Sequence, residues 1–111
     1  MTKTLDERIR IDAVSLNNEI SYQTEGVVSK TLIDKQAGTI TVFAFDQGQG
    51  LSEHSAPFDA FLHLLDGEME ITIGGNPVQV KKGYSLIMPA NVPHALRATE
   101  AAKMMLVMIR Q

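Results

Sequence analysis

Residues 48–67, GQGLSEHSAPFDAFLHLLDG, and residues 83–98, GYSLIMPANVPHALRA, decide the fold of this chain. Each segment opens on a glycine that is suited to a turn and contains one histidine close to a proline. His54 stands six positions after the first opening glycine, and His94 stands eleven positions after the second. The chain therefore contains a pair of related glycine and histidine signatures, and we find no other internal repeat.

Short strands surround both signatures. The run Glu68-Met69-Glu70-Ile71-Thr72-Ile73 alternates polar and apolar residues, which predicts a strand with one wet face and one core face. Similar patterns predict strands over residues 27–33, 39–45, 59–65, 78–80, 84–88, 94–98 and 103–110. The dipeptide Asp66-Gly67 predicts a two-residue hairpin turn. No amphipathic helix of useful length separates these strands, so the pattern favours an all-β sandwich or barrel over a βαβ fold.

Composition narrows the classes of function. A chain of 111 residues with 44% hydrophobic and 21% charged residues has room for one globular domain. The net charge is −3 and only 10 residues are Lys or Arg, which argues against nucleic acid as a partner. There are no cysteines, which excludes disulfides and thiolate chemistry. The N-terminus lacks the apolar region of a signal peptide and no apolar run is long enough to span a membrane, so we expect a cytoplasmic protein without a membrane partner.

The N-terminal region differs from the rest of the chain. Thr4–Glu7 forms a capping-box pattern that predicts a short helix, and an irregular polar stretch follows it. We expect this irregular or short helical arm to lie against the domain, anchored by Ile20 and Tyr22. The predicted organisation is an arm, residues 1–26, followed by a barrel domain, residues 27–111.

The two histidine segments resemble the two halves of the cupin signature. The first follows G-x5-H-x-H-x3-E-x6-G in its spacing, and the second follows G-x5-P-x-G-x2-H-x3-N. The chain is thus similar to small single-domain cupins with a cupin-2-type conserved barrel. This resemblance implies a double-stranded β-helix, or jelly-roll barrel, whose interior binds a small molecule. In the family a divalent metal held by three histidines and one glutamate often lies beside that molecule.

This sequence departs from the family pattern at its metal ligands. Ala56 stands where the second histidine is expected, and Ala60 stands where the glutamate is expected. Asn91 replaces a glycine, and Ala98 replaces the final asparagine. Only His54 and His94 match metal-ligand positions.

A third ligand would be needed for an ordinary metal site. Asp59 is the nearest carboxylate, and with His54 and His94 it would complete the two-histidine, one-carboxylate set that suits non-haem Fe(II). Strand alternation argues against this role, because Asp59 points out of the barrel if Ala60 points in, unless a bulge follows Pro57. His63 has the opposite parity to Ala60, so we expect it to face away from the pocket.

Three interpretations remain open at this point. The first is a metal-free protein that binds a small, mainly apolar molecule around His54 and His94. The second is an oxygenase or isomerase that uses a divalent ion such as Fe, Mn, Ni or Zn and acts on a small organic substrate. The third is an interaction scaffold whose pocket is filled by its own side chains. The first two require the two imidazoles to converge on one point inside the barrel.

Two further expectations concern apolar residues. Methionines are abundant in the predicted strands and either line a ligand cavity or fill gaps in the core; they are Met69, Met88, Met104, Met105 and Met108. Both faces of the segment Lys103–Ile109 are apolar, so both faces need cover. We therefore expect a homodimer.

Overall fold

The computed structural model describes residues 12–110, which fold into nine strands preceded by one turn of 3₁₀ helix at Leu16–Asn18. The strands are β1 (Val27–Lys35), β2 (Gly38–Phe45), β3 (Gly50–His54), β4 (Asp59–Asp66), β5 (Glu68–Ile73), β6 (Asn76–Lys81), β7 (Ser85–Met88), β8 (His94–Ala98) and β9 (Ala102–Ile109). Every pairing between them is antiparallel. The prediction of an all-β fold is confirmed. The short helix expected at Thr4–Glu7 lies outside the described residues.

The strands form two sheets that enclose the core. One sheet has five strands in the order β1-β2-β9-β4-β7, and the other has four in the order β3-β8-β5-β6. The side chains of Leu62 and Leu64 on the first sheet and of Met69 and Ile71 on the second are fully buried in one cluster. Strand alternation produces this arrangement, because every second residue of β4 and β5 is apolar and turns inward. The result is the jelly-roll barrel that the sequence predicts.

The turn at Asp66-Gly67 does not make the predicted hairpin. β4 belongs to the five-stranded sheet and β5 to the four-stranded sheet, so the chain crosses between sheets at this point. Gly67 has a φ of +73°, and a Cβ atom there would lie 1.9 Å from the carbonyl oxygen of Ala101. A glycine is required because any side chain would collide with that backbone.

The N-terminal arm covers part of the outer face, which we define as the face of the five-stranded sheet that is turned away from the four-stranded sheet. Ile20 is buried there against Val42 and Ala44. The Tyr22 hydroxyl donates a hydrogen bond of 2.6 Å to Asp66 Oδ2, and the Lys103 ammonium lies 4.9 Å from the centre of the Tyr22 ring. Burial, followed by the hydrogen bond to Asp66, raises the pKa of the Tyr22 phenol. The expected anchoring of the arm by Ile20 and Tyr22 is observed.

The opposite end of the outer face has no cover in the described part of the chain. Phe61 is 40% exposed, Ile87 is 60% exposed and Ile109 is 50% exposed. His63 lies on the same face, where its Nδ1 is 2.6 Å from the Ser85 hydroxyl, and so it points away from the barrel interior as expected. Between residues 12 and 110 there is no helix with the length and hydropathy needed to traverse a bilayer.

Candidate functional site

The two histidines of the sequence signatures meet across a pair of neighbouring strands. His54 ends β3, His94 begins β8, and the antiparallel register sets them directly opposite each other. The register shifts between Leu51 and His54, so β3 carries an extra residue there, and such a bulge turns the side chains that follow it. Gly50 lets the two strands approach, since a Cβ atom at that position would lie 1.9 Å from the Leu96 carbonyl oxygen. The bulge in β3 and the close approach at Gly50 therefore direct the two imidazole rings toward each other.

Each imidazole is oriented by a backbone carbonyl two residues before it. His54 Nδ1 lies 2.8 Å from the Ser52 carbonyl oxygen, and His94 Nδ1 lies 3.2 Å from that of Val92. A carbonyl oxygen only accepts hydrogen bonds, so both Nδ1 atoms must be the protonated donors. In the neutral ring the other nitrogen, Nε2, then carries a free lone pair.

The two free nitrogens point at each other. The Nε2 atoms of His54 and His94 are 3.2 Å apart, and the rings meet nearly edge to face with their centres 4.4 Å apart. Two lone pairs at this distance repel unless a proton, a hydrogen-bond donor or a metal ion lies between them. The arrangement is therefore a preformed acceptor site for an electron-poor atom.

The protonation of His94 is governed mainly by burial. His94 is buried, whereas His54 is exposed at the rim of the barrel. Burial lowers the pKa of His94, the hydrogen bond to the Val92 carbonyl partly offsets that effect, and the nearby His54 lowers the pKa further. The neutral form of His94 is thus favoured, which keeps its Nε2 available as an acceptor.

An apolar cavity of about 80 Å³ lies beside the histidine pair. Its lining includes two alanines, three methionines and four further aliphatic or aromatic residues, and the two imidazoles supply its polar end. The residues are Leu51, His54, Ala56, Phe58, Ala60, Met88, His94, Leu96, Met104, Leu106 and Met108. The expectation that methionines line a cavity holds for Met88, Met104 and Met108. Met69 instead packs in the core, and Met105 packs against the cluster under the arm.

Asp59 does not join the two histidines. It pairs with Ile109 on β9, next to the cavity residue Ala60 but with the opposite orientation, and it is exposed. Its Oδ1 accepts a hydrogen bond of 2.8 Å from the backbone nitrogen of Ala90, which fixes it at the strand end. The structure therefore brings His54 and His94 together and leaves Asp59 outside.

The loop that leads into His94 is held by a feature that the sequence only partly indicated. Asn91, at a family glycine position, has a φ of +65°. Asparagine tolerates this left-handed conformation better than most residues. Its backbone nitrogen donates a hydrogen bond of 2.7 Å to the Ala56 carbonyl oxygen, so the loop between β7 and β8 is tied to the loop between β3 and β4. Both loops close the same end of the barrel.

Comparison with known proteins agrees with this architecture. A family model for the cupin domain matches residues 41–110. A conserved protein of unknown function from Streptococcus pyogenes, SPY1581, is 39% identical, with a TM-score of 0.87 over 90% of this chain and 88% of that chain. This chain belongs to the cupin family. Another solved structure, a cupin 2 conserved barrel domain protein from Leptotrichia buccalis, is 41% identical to this cupin, with a TM-score of 0.82 over 85% of this chain and 46% of that chain. Protein SchB from Streptomyces halstedii is 24% identical over 100 residues, which is 89% of this cupin and 72% of SchB.

The residues of this cupin do not fit the divalent metal that the family resemblance implies. Ala56 and Ala60 line the cavity at the positions of the missing histidine and glutamate, and an alanine side chain has no donor atom. Within residues 12–110, no group of three or more His, Cys, Asp or Glu side chains is placed to hold a metal ion. Two imidazoles fall short of the three or four protein ligands that such ions usually take.

Proposed function

We propose that this cupin binds a small, mainly apolar molecule in the cavity and orients it through the histidine pair. The observation that carries the proposal is the convergence of two acceptor nitrogens, 3.2 Å apart, at the polar end of an otherwise apolar cavity. Ligand pockets commonly combine an apolar lining with a few polar groups that fix orientation. Because both Nε2 atoms accept hydrogen bonds, the ligand we expect carries an O–H or N–H donor.

The cavity limits the size of that ligand. Its volume is about 80 Å³, whereas an engineered cavity that holds benzene measures about 150 Å³. At the ~30 Å³ that each water occupies in the liquid, the cavity holds roughly three non-hydrogen atoms without movement of the lining, so a larger ligand enters only if the lining moves. Met108 is only half-buried, and a thioether chain adapts its shape readily, so this side chain is the one that would yield to a larger ligand.

A pair of isomeric probes tests the role of the histidines. 1-Butanol and diethyl ether have the same atoms, but only the alcohol has an O–H donor. In an NMR titration of the metal-free protein, we expect both probes to shift the methyl signals of the cavity methionines. A net hydrogen bond of about 1 kcal/mol should make the alcohol bind about fivefold more tightly than the ether.

Histidine variants provide the controls for this experiment. The double variant His54→Ala/His94→Ala removes both acceptor nitrogens and should abolish the preference for the alcohol, whereas His63→Ala, on the outer face, should keep it. Equal affinity for the two probes in the unmodified protein, or no shift of the methionine methyls with either probe, would contradict the proposal.

A metal-dependent oxygenase or isomerase is the second candidate, and one observation favours it. Histidines that bind metals usually donate their other ring nitrogen to a carbonyl or carboxylate, as both rings do here. The missing third ligand is the reason for ranking it second. Less than about a tenth of an equivalent of Fe, Mn, Ni or Zn in reconstituted protein without a histidine tag would exclude this candidate, because a metal-dependent enzyme must retain its ion.

We also propose that two copies of this cupin associate through the uncovered end of the outer face. Cross-strand pairing aligns the apolar side chains of Ile87, Phe61 and Val107 there, and Ile87 and Phe61 are exposed. Exposed apolar side chains that lie next to each other on a protein surface can mark a site of association. A twofold axis through the row would give both copies the same contact.

A further inference from the structure

The cavity contains a second kind of donor beside the two imidazoles, namely methionine sulfur. Met88, Met104 and Met108 line the same space as His54 and His94. The chain has no cysteine, so thioethers are its only sulfur ligands. From this combination we propose that the histidine pair, together with Met88 and Met108, forms a binding site for a soft monovalent metal ion of the Cu(I) and Ag(I) class.

Strand register explains why Met88 and Met108 are the thioethers in question. Ala60 on β4 pairs with Met88 on β7 and also with Met108 on β9. Residues paired in this way on antiparallel strands share a face of the sheet. Two long thioether side chains therefore flank the short methyl group that replaces the carboxylate of the family pattern. Ala60 supplies no oxygen donor, and a methionine sulfur is available on either side of it.

The spacing of the histidine nitrogens fits a bent metal centre. Imidazole nitrogens bind zinc at about 2.0–2.1 Å, and at a similar bond length two nitrogens 3.2 Å apart subtend an angle of about 100° at an ion. A linear two-coordinate ion would need the same nitrogens about 4 Å apart at these bond lengths. The observed geometry therefore calls for at least one further ligand, and the thioethers are the donors that line the adjoining space.

Charge and ligand softness both favour a monovalent ion. No Asp or Glu side chain lines the cavity, so no negative charge would compensate a bound cation. The energy of moving an ion out of water into an apolar site rises with the square of its charge, which penalises Zn²⁺ or Fe²⁺ far more than Cu⁺. Thioethers are soft ligands that select Cu(I), whereas Mg and Mn prefer oxygen. The same features that make this site unsuitable for a hard divalent ion make it suitable for a soft monovalent one.

This inference does not depend on the proposed binding of an organic molecule. An ion and an organic donor would compete for the same two Nε2 atoms, so each is measured in the absence of the other. The probe titration above uses metal-free protein, and the metal titration uses no organic probe. Failure of one experiment therefore leaves the other unaffected.

The test is a Cu(I) titration without oxygen, in a reducing buffer, against a coloured Cu(I) chelator. We expect one equivalent of Cu(I) per chain, and no uptake of Zn(II) under the same conditions. The double variant Met88→Leu/Met108→Leu should weaken Cu(I) binding at least tenfold. Its volume is nearly unchanged, because leucine and methionine are similar in size. Met105→Leu, which alters the cluster under the arm, is the matched control and should leave the affinity unchanged.

A second measurement keeps the inference testable if the double variant folds poorly. Ag(I) added to the unmodified protein should shift the methyl NMR signals of Met88 and Met108 and leave that of Met105 in place. Absence of Cu(I) uptake would overturn the inference. So would uptake that is lost in His54→Ala but unchanged in the double leucine variant, because that result means coordination by histidine alone.

Discussion

The substitution Ala60→Val tests whether the cavity is a space that the protein maintains at the expense of stability. Ala60 is buried, lines the cavity, and lies between Met88 and Met108 in the sheet. At about 24 cal/mol per Å³, a cavity of about 80 Å³ lowers the free energy of unfolding by about 2 kcal/mol. Each buried methyl group that valine adds contributes up to about 0.8 kcal/mol, and valine also favours a strand.

We therefore expect Ala60→Val to raise the free energy of unfolding by about 1 kcal/mol after imperfect filling is allowed for, which corresponds to about 4 °C in Tm for a chain of this length. The assay is urea unfolding followed by circular dichroism. The same variant should bind 1-butanol more weakly, because the added methyl groups occupy the ligand's space. Stability and binding should thus change in opposite directions.

Ala44→Val is the control for that experiment. Ala44 is also a fully buried strand alanine, but it lies under the arm and lines no described cavity. Extra methyl groups at a filled position destabilise a protein by about 1–3 kcal/mol. If Ala60→Val destabilises the protein as much as Ala44→Val does, the site is already filled and the reasoning about the cavity is refuted.

Three other predictions address the titrating histidine, the outer face and the arm. Burial lowers the pKa of His94 in the folded state, so the unfolded chain binds more protons below its own histidine pKa of about 6.5. The urea midpoint should therefore decrease as the pH is lowered from 7 to 5, and it should decrease less in His94→Asn. Equal slopes for the two proteins would contradict this prediction. Phe61→Asp should convert a dimer to a monomer in light scattering, while Val78→Asp, at an exposed position of the other sheet, should not; a monomeric unmodified protein would refute the dimer. Tyr22→Phe removes the hydrogen bond to Asp66 and should weaken the attachment of the arm by about 0.5–1 kcal/mol. The measurement is amide exchange, which should become faster in residues 12–25. Unchanged exchange would show that this hydrogen bond does not hold the arm.

Strand periodicity predicts most of the barrel, and it fails where burial is weak. β3 carries a single apolar side chain, Leu51, in the sequence GLSEH, and its last three residues are exposed. It lies at an edge of its sheet and needs only one neighbour, so no alternation marks it. The position of His54 was indicated by the spacing of the signature and not by a strand pattern.

The error at Asp66-Gly67 has a different origin. The dipeptide predicts a hairpin from local turn preference, but the flanking strands bury their apolar faces against each other across the core. Two strands that must face each other cannot lie side by side in one sheet. Turn chemistry alone cannot distinguish these outcomes, since a positive φ at Gly67 serves both.

The candidate site was only partly predictable from the sequence. The signatures identified His54 and His94, and strand parity correctly placed Asp59 outside. The carbonyl groups that set the protonation of each ring belong to Ser52 and Val92, and a backbone acceptor leaves no trace in residue identity. The juxtaposition of Met88 and Met108 around Ala60 depends on the register of three strands that are distant in sequence.

The edge position of β3 has a consequence for how a guest molecule would enter and leave. His54 belongs to a strand held on one side only, by β8, whereas the opposite wall of the cavity belongs to the interior strands β4 and β9. Transient fraying of an edge strand requires little free energy compared with global unfolding. Separation of β3 from β8 would open an entrance to the cavity while the rest of the barrel stays intact. The residence time of a bound molecule would then depend on the β3 backbone and its fit on the opposite wall, so that substitutions would alter the two properties separately.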